Sequence, residues 1–246
     1  MVNNWKIWNK NYKVEQRTFD RLKQNLPEME SAKQLRKLIQ KVYKKKMMIL
    51  DVGCAAGHYY NSLKKIDKNI NYTGIDATKK YISFAKKFFI KNKKTKFYCE
   101  DIYNISSKHF KKFDITFCCN LLLHLPSIEI PLKNLLKSTK KYCFVRTLVS
   151  SNTHLSQYLY DDKFKNKKPI NFAYQNTYSF EYIKKTLNNL GNFKIKFIED
   201  EFNKTNINKE YKKFKQKQKG ATKVFQNNIQ ISGSKVFEWK WLKISI

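Results

Sequence analysis

The sequence predicts an α/β fold built on a mostly parallel sheet with helices on both faces. Three observations carry this. Short apolar runs alternate with amphipathic stretches from Met47 to Leu148, the order that builds βαβ units. Three of the runs close on an acid, Asp51, Asp76 and Asp101, spaced 25 residues apart each time. The first run then enters Gly53-Cys54-Ala55-Ala56-Gly57, small residues that permit a tight turn at the carboxyl edge of a strand. That edge is where open α/β sheets bind their ligands.

The elements follow in order. Residues 1–27 are polar and aromatic with no clear period. A helix is expected over 28–45, with Ser31 and Gln34 at capping-box spacing and Leu35, Leu38, Ile39, Val42 and Tyr43 as its apolar stripe. Strand one covers 47–52, and a helix over 58–65 follows the glycine turn. Strand two covers 72–75 and leads into a helix over 79–90 that buries Ile82, Ala85 and Phe89. Strands three and four are 96–99 and 114–119. Pro131 suits the first turn of a helix carrying Leu132, Leu135 and Leu136, and strand five is 142–148. Beyond it, 149–178 has no clean period. Ser179 caps a helix that ends before Gly191, strand six is 193–198, and 199–222 is a charged loop. Residues 225–231 and 236–244 flank Ser232-Gly233-Ser234 and read as a terminal hairpin.

Composition narrows the classes. A chain of 246 residues with 41% hydrophobic and 15% aromatic content can bury a full core, and one domain over 1–246 is expected. No apolar run reaches the ~20 residues of a membrane span, and the N-terminus lacks a signal-peptide pattern, so a cytoplasmic location is expected. Five cysteines, an odd number sited in strands and the glycine turn, read as thiols. Without a Cys-x-x-Cys pair or a histidine nearby they offer no metal site. The net charge is +32, yet only four of the 51 basic side chains are arginine, the residue that phosphate recognition favours. Lysine spread this evenly reads as a solvated surface, not a dedicated nucleic-acid footprint. The oligomeric state is not legible.

An acid ending the second strand of a βαβ unit can accept hydrogen bonds from both hydroxyls of a ribose. The strict Gly-x-Gly-x-x-Gly nicotinamide fingerprint is absent, which argues against a dehydrogenase. Four segments stand in order: Met48 to Gly57, Asn71 to Asp76, Lys96 to Ile102, and Phe113 to Pro126. Together they resemble the motifs of class I methyltransferases that use S-adenosylmethionine. The resemblance is specific over 47–148 and weak over 179–246. It implies a Rossmann-like seven-stranded sheet whose last strand runs antiparallel between strands five and six. Residues 47–148 would be the cofactor-binding half, 1–46 a helical extension, and 149–246 a substrate-side half with cap insertions.

The same resemblance assigns roles. Asp51, Gly53, Cys54, Ala55 and Gly57 belong to the turn that accommodates the methionine part of the cofactor, with Ala55 standing where the family has its middle glycine. Asp76, followed by Ala77, meets the ribose. Asp101 meets the adenine amino group, and the backbone of Ile102 meets the ring. Asn120 and Leu121 belong to the loop that leaves strand four over the cofactor.

Methyl transfer is an in-line displacement, so alignment supplies most of the catalysis, and a base helps when the acceptor is a hydroxyl. His154, after strand five, is expected as that base, with His124, after strand four, as the fallback. Residues 149–178 and 199–222 are expected to cover the acceptor, offering Tyr158, Tyr160, Tyr174, Asp161 and Asp162. Asn120-Leu121-Leu122-Leu123 departs from the Asp/Asn-Pro-Pro-aromatic form of nucleobase amino methylation. Neither Cys118 nor Cys119 follows a proline, as cytosine-carbon methylation needs. Leu122-Leu123-His124-Leu125-Pro126 resembles small-molecule methyltransferases. With Asn176-Thr177-Tyr178-Ser179 and Trp239-Lys240-Trp241, the chain is similar to methyltransferases of bacterial surface-polysaccharide pathways. This implies O-methylation of a sugar, a glycan precursor or another small metabolite. An RNA methyltransferase using the lysine surface, and a cofactor-binding scaffold without turnover, remain as alternatives.

Overall fold

The computed structural model describes residues 12–201, 222–224, 230–232 and 238–246. Its sheet contains β1 (Met48–Val52), β2 (Asn71–Asp76), β3 (Thr95–Cys99), β4 (Phe113–Cys119), β5 (Thr139–Ser150), β6 (Lys194–Glu199) and β7 (Glu238–Ser245). Their order across the sheet is β6-β7-β5-β4-β1-β2-β3. The five strands from β1 to β5 run parallel, and β7 runs antiparallel to both β5 and β6. This is the mostly parallel, seven-stranded arrangement expected, with Tyr178–Ser179 added as a short parallel pair on the end of β5.

Helices cover both faces. α1 (Tyr12–Lys23), α2 (Glu30–Gln40), α3 (Tyr60–Leu63) and α4 (Lys79–Phe88) share one core, in which Leu22, Leu35, Ile39 and Leu63 are fully buried against Ile49, Phe117 and Trp241. α5 (Glu129–Ser138) and α6 (Phe180–Asn188) share the other, in which Leu132, Leu135 and Leu187 pack on Leu50, Val145 and Leu242. Each such side chain contributes about 1.5–3 kcal/mol by leaving water. Successive residues of β1 therefore feed opposite cores, as a strand with two covered faces must.

Several local expectations are corrected. α1 lies in the stretch that showed no period. Its buried face is Glu15, Thr18 and Leu22, so polar side chains hide the helical repeat. α2 is shorter than 28–45, and the expected capping box does not form: its cap, Met29, makes no side-chain bond. Ser31 instead meets the Tyr59 hydroxyl at 3.0 Å. Gln34 binds Glu199 O, Glu201 N and Trp241 Nε1. Tertiary partners took the side chains that a cap would use. By contrast, Ser179 caps α6 as expected, its Oγ accepting from Tyr182 N at 3.1 Å.

The terminal hairpin is also corrected. Gln230–Ser232 pairs with Thr222–Val224, while Glu238–Ser245 joins the main sheet between β5 and β6. Burial of Trp241, Leu242 and Ile244 drives that choice. Most of the expected charged loop over 199–222, and the turn at Gly233, lie outside the described residues.

Residues 151–179 form a ribbon. Gln157–Leu159 pairs with Phe172–Tyr174, and Phe164–Lys165 pairs with Lys168–Pro169. All five cysteines are free thiols, and no group of side chains among the described residues could hold a metal ion. No helix of the described residues is long and apolar enough to cross a membrane.

Candidate active site

The helix layer changes side between β1 and β4, and the carboxyl ends of the strands open there into a cavity of about 240 Å³. Such a switch point is where doubly wound sheets bind ligands. The strand ends supply its floor: Val52 and Gly53 at the end of β1, Asp76, Ala77 and Thr78 at the end of β2, Glu100, Asp101 and Ile102 beyond β3, and Cys119, Asn120 and Leu121 at the end of β4. His124 and Leu125 line the rim beyond β4.

The loop after β1 is held in an unusual backbone shape. Gly53, Ala55 and Gly57 have φ of +79°, +48° and +83°. Gly53 N and Cys54 N both donate to Ile75 O, at 2.8 and 3.1 Å, tying the loop to β2. A Cβ on Gly53 would sit 2.9 Å from the Leu121 side chain, which would close the gap between the loop and the far wall. The glycine keeps the cradle open.

Asp76 organises the adjoining corner. Its Oδ2 accepts from Ala55 N at 2.9 Å and its Oδ1 from Thr78 N at 2.8 Å. Burial raises its pKa above the ordinary carboxylate value, and those two backbone donors act against the rise. Each carboxylate oxygen keeps a second lone pair, so two hydroxyl donors can still be accepted. Asp101 caps the short helical turn Ile102–Asn104, accepting from Tyr103 N at 3.0 Å. Left-handed loop, paired carboxylates and the gap at Gly53 together fit an adenosine-bearing ligand.

Not every expected contact reaches the cavity. Asp51, Cys54 and Gly57 do not line it. Asp51 is buried beneath the loop and accepts from the Tyr72 hydroxyl at 2.5 Å. Burial pushes its pKa up to about 8, the Tyr72 bond works against that, and the nearby Asp76 charge adds to it. Cys54 faces Gly74, where a Cβ would lie 2.7 Å from its Sγ, and a Cβ on Gly57 would strike Phe97 at 2.7 Å. These three residues shape the loop from below. His154 also stays away from the lining: its backbone pairs with Thr177, N to O at 2.9 Å and O from N at 3.0 Å.

His124 is at the rim, and its Nδ1 lies 2.8 Å from the Tyr174 carbonyl oxygen. A carbonyl can only accept, so Nδ1 carries the proton and the basic lone pair is on Nε2. Burial lowers the His124 pKa, against the opposing pull of the Tyr174 carbonyl, so the ring is neutral at pH 7. Asn176 fastens the same loop, its N bonded to Leu123 O at 2.9 Å and its Nδ2 to Leu125 O at 2.8 Å.

Two features escaped sequence reasoning. One is α1, whose Val14, Thr18 and Arg21 line the cavity together with Met29, His58, Tyr59 and Tyr81. Their i, i+4, i+7 spacing was the available signal, but two of the three are polar. α1 is seated by Phe19 stacked on Phe84 at 3.8 Å and by the Glu15–Lys80 ion pair at 2.6 Å. The other is Arg146 of β5. It is buried with Asp200, which it grips with Nε at 2.6 Å and Nη2 at 3.1 Å, and it stacks over Trp239 at 3.9 Å. Its Nη1 donates to Asn120 Oδ1 at 2.6 Å, and Asn120 N donates to the Arg146 carbonyl at 3.0 Å. Asn120, at φ +58°, is thus held at the cavity wall from both ends.

Comparison with known proteins bears on the family and the fold. A family model described as "Methyltransferase domain" matches residues 43–229. The ubiquinone biosynthesis O-methyltransferase of Coxiella burnetii is 31% identical over 130 residues, covering 51% of this chain and 53% of that protein. The chain therefore spans about half the length of the curated relatives it matches. Among solved structures, Haemonchus contortus phosphoethanolamine N-methyltransferase 2, in complex with S-adenosylhomocysteine, is similar with a TM-score of 0.55 at 13% identity. That match covers 86% of this chain and 52% of the other. The [4+2]-cyclase SpnF is similar with a TM-score of 0.54 at 14% identity, covering 87% and 80%. Likenesses this distant show the fold alone, and a cyclase shares it. The family match spans well over half of the sequence: the chain belongs to the methyltransferase-domain family, whose methyl donor is S-adenosylmethionine.

Proposed function

We propose that this chain transfers a methyl group from S-adenosylmethionine to a hydroxyl oxygen of a small acceptor, a sugar or another small metabolite, with His124 as the base. The observation that carries this reading is the state of His124: a neutral ring lining the cavity rim, its proton on Nδ1 in the bond to Tyr174 O and its basicity therefore at Nε2. The curated relative, an O-methyltransferase, supports oxygen as the acceptor atom.

In this reading Asp76 holds the ribose hydroxyls, Asp101 and Ile102 hold the adenine, and the loop from Gly53 with Ala55 and Ala77 faces the amino-acid end. Asn120 and Leu121 close the opposite wall. The bound cofactor supplies an activated sulfonium methyl. The protein's own task is to align the acceptor oxygen and to take its proton at Nε2 of His124 as the oxygen becomes nucleophilic. The Tyr174 carbonyl stabilises the imidazolium that results, and Asn176 keeps the loop from drifting. His154 has no part in this proposal.

The test is methyl transfer to a panel of hydroxylated acceptors. His124→Ala should lower turnover by roughly 10²-fold or more and leave S-adenosylhomocysteine affinity within about twofold. Turnover of the unaltered chain should rise with pH along a limb whose midpoint lies below the ordinary histidine value, because burial lowers this pKa. An unchanged rate in the variant would remove His124, and tight cofactor binding with no product on any acceptor would favour a scaffold.

A further inference from the structure

We propose that the outer part of the 151–179 ribbon is a docking surface for an anionic phospholipid bilayer. Among the described residues, twelve large hydrophobic side chains are exposed, and five of them, Leu155, Tyr158, Tyr160, Phe164 and Ile170, fall between 155 and 170. Exposed apolar groups scattered singly are ordinary, whereas a concentration on one protruding element marks a contact surface. These five are 43–64% exposed.

The tip is built as an amphipathic wedge. Asn166 and Lys167 both have positive φ, the shape of a tight two-residue hairpin turn. Phe164 stands opposite Pro169, and Lys165 opposite Lys168. Because side chains alternate along a strand and cross-strand partners share a face, the apolar pair occupies one face and the lysine pair the other. Such a ribbon can lay Phe164 and its neighbours into the headgroup boundary while the lysine stems reach back to lipid phosphates.

Other occupants fit less well. Tyr158 and Tyr160 meet edge to face, at 5.3 Å and 79°, so they do not form parallel platforms for stacked bases. Leu155 and Ile170 have no aromatic face, and no arginine lies between 151 and 179. A second copy of the ribbon would bring Lys163, Lys165, Lys167 and Lys168 against a like-charged set. Asp161 and Asp162 are the acids between 151 and 179, so these four lysines leave the ribbon with a net positive charge.

The base of the ribbon carries Tyr174 and Asn176, which hold the His124 loop. Docking would therefore fix the cavity rim relative to the bilayer and favour an amphiphilic acceptor, a consequence that rests on the proposed role of His124.

Co-sedimentation of the full chain with vesicles tests the docking surface directly. Vesicles of phosphatidylglycerol and phosphatidylcholine in equal parts, at physiological salt, should pellet the protein, and phosphatidylcholine alone should not. The variant Phe164→Ser keeps the charge and should lower partitioning about tenfold or more. Lys165→Glu with Lys168→Glu should lower it comparably, whereas Lys86→Glu with Lys87→Glu, the same charge change on α4, should leave at least half of it. All sites are on the surface, so melting and S-adenosylhomocysteine calorimetry should match the unaltered chain. That readout separates loss of docking from loss of the cofactor site. Equal losses in all three variants would mean diffuse charge and overturn the proposal. Absence of vesicle binding, a ribbon-dependent dimer, or ribbon-dependent RNA binding in place of vesicle binding would each overturn it as well.

Discussion

The strand ends from β1 to β4 line the cavity, whereas β5, β6, α2 and the His124 loop with the ribbon brace it and are held by a different kind of contact. In the first region each site residue is placed by its own strand and the next. Asp76 ends β2 and bonds backbone two residues ahead, at Thr78, and across the adjacent loop, at Ala55. In the second region placement depends on partners far along the chain. Arg146 needs Asp200, His124 needs Tyr174, and Gln34 needs Glu199 and Trp241. Locally placed residues tolerate changes elsewhere in the chain, whereas distantly placed ones share the fate of their partners.

Replacing Arg146 breaks the second region most. Arg146→Met would leave the buried Asp200 carboxylate without its guanidinium, and loss of one partner of such a pair costs about 3–5 kcal/mol. Denaturant unfolding should show a loss of that size. The same experiment on Arg146→Lys should show a smaller one, because the charge remains while the bidentate grip and the Asn120 contact are lost. A cost under about 1 kcal/mol in the methionine variant would mean that water reaches Asp200 and that the two regions are held alike.

Asp51 offers a test of the first region through pH. Its folded pKa is pushed up to about 8, against an ordinary value of 3.8. Between those values the folded chain keeps a proton that the unfolded chain has released. Stability should therefore fall as pH rises through that window, by on the order of 1 kcal/mol per pH unit from this group, and level off above it. Asp51→Asn preserves an acceptor for the Tyr72 hydroxyl and removes the titration. Its unfolding free energy should lose that slope, and an unchanged slope would assign the pH dependence elsewhere.

The contrast explains what was legible. A strand, a tight turn and an acid at the strand end are written in consecutive residues, so Gly53, Asp76, Asp101 and Asn120 were placed correctly from sequence at the carboxyl edge. α1 was missed because Thr18 and Arg21 face the cavity where an apolar repeat was sought. Which of His124 and His154 lies at the cavity depended on which loop folds inward, and Asn176 holds the His124 loop there through bonds to Leu123 and Leu125, residues some 50 positions away. The Ser31 and Gln34 pattern misled for the same reason, since distant partners outcompeted the local cap.

Asp76→Ala sharpens the comparison on the binding side. It removes two charge-assisted backbone bonds and the acceptor proposed for the ribose, contributions of about 1.5–3 kcal/mol each when made to a charged group. Calorimetry with S-adenosylhomocysteine should show affinity at least about tenfold weaker. Affinity unchanged by the substitution would detach Asp76 from the ribose.

The smallest effect is expected at Ala55, where the first region departs from the glycine of the resembled family. Its φ of +48° lies in the left-handed region, which costs a residue with a Cβ roughly 1–2 kcal/mol. Glycine would release that strain and lose more freedom on folding, an opposing term of about 0.5–1 kcal/mol. Ala55→Gly should thus stabilise the chain by about 0.5–1 kcal/mol in denaturant unfolding. The bond from residue 55 N to Asp76 Oδ2 is a backbone bond and survives the change. Cofactor affinity should accordingly stay within about twofold. A variant less stable than the unaltered chain would show that the methyl group of Ala55 packs well enough on the cavity wall to outweigh its backbone strain.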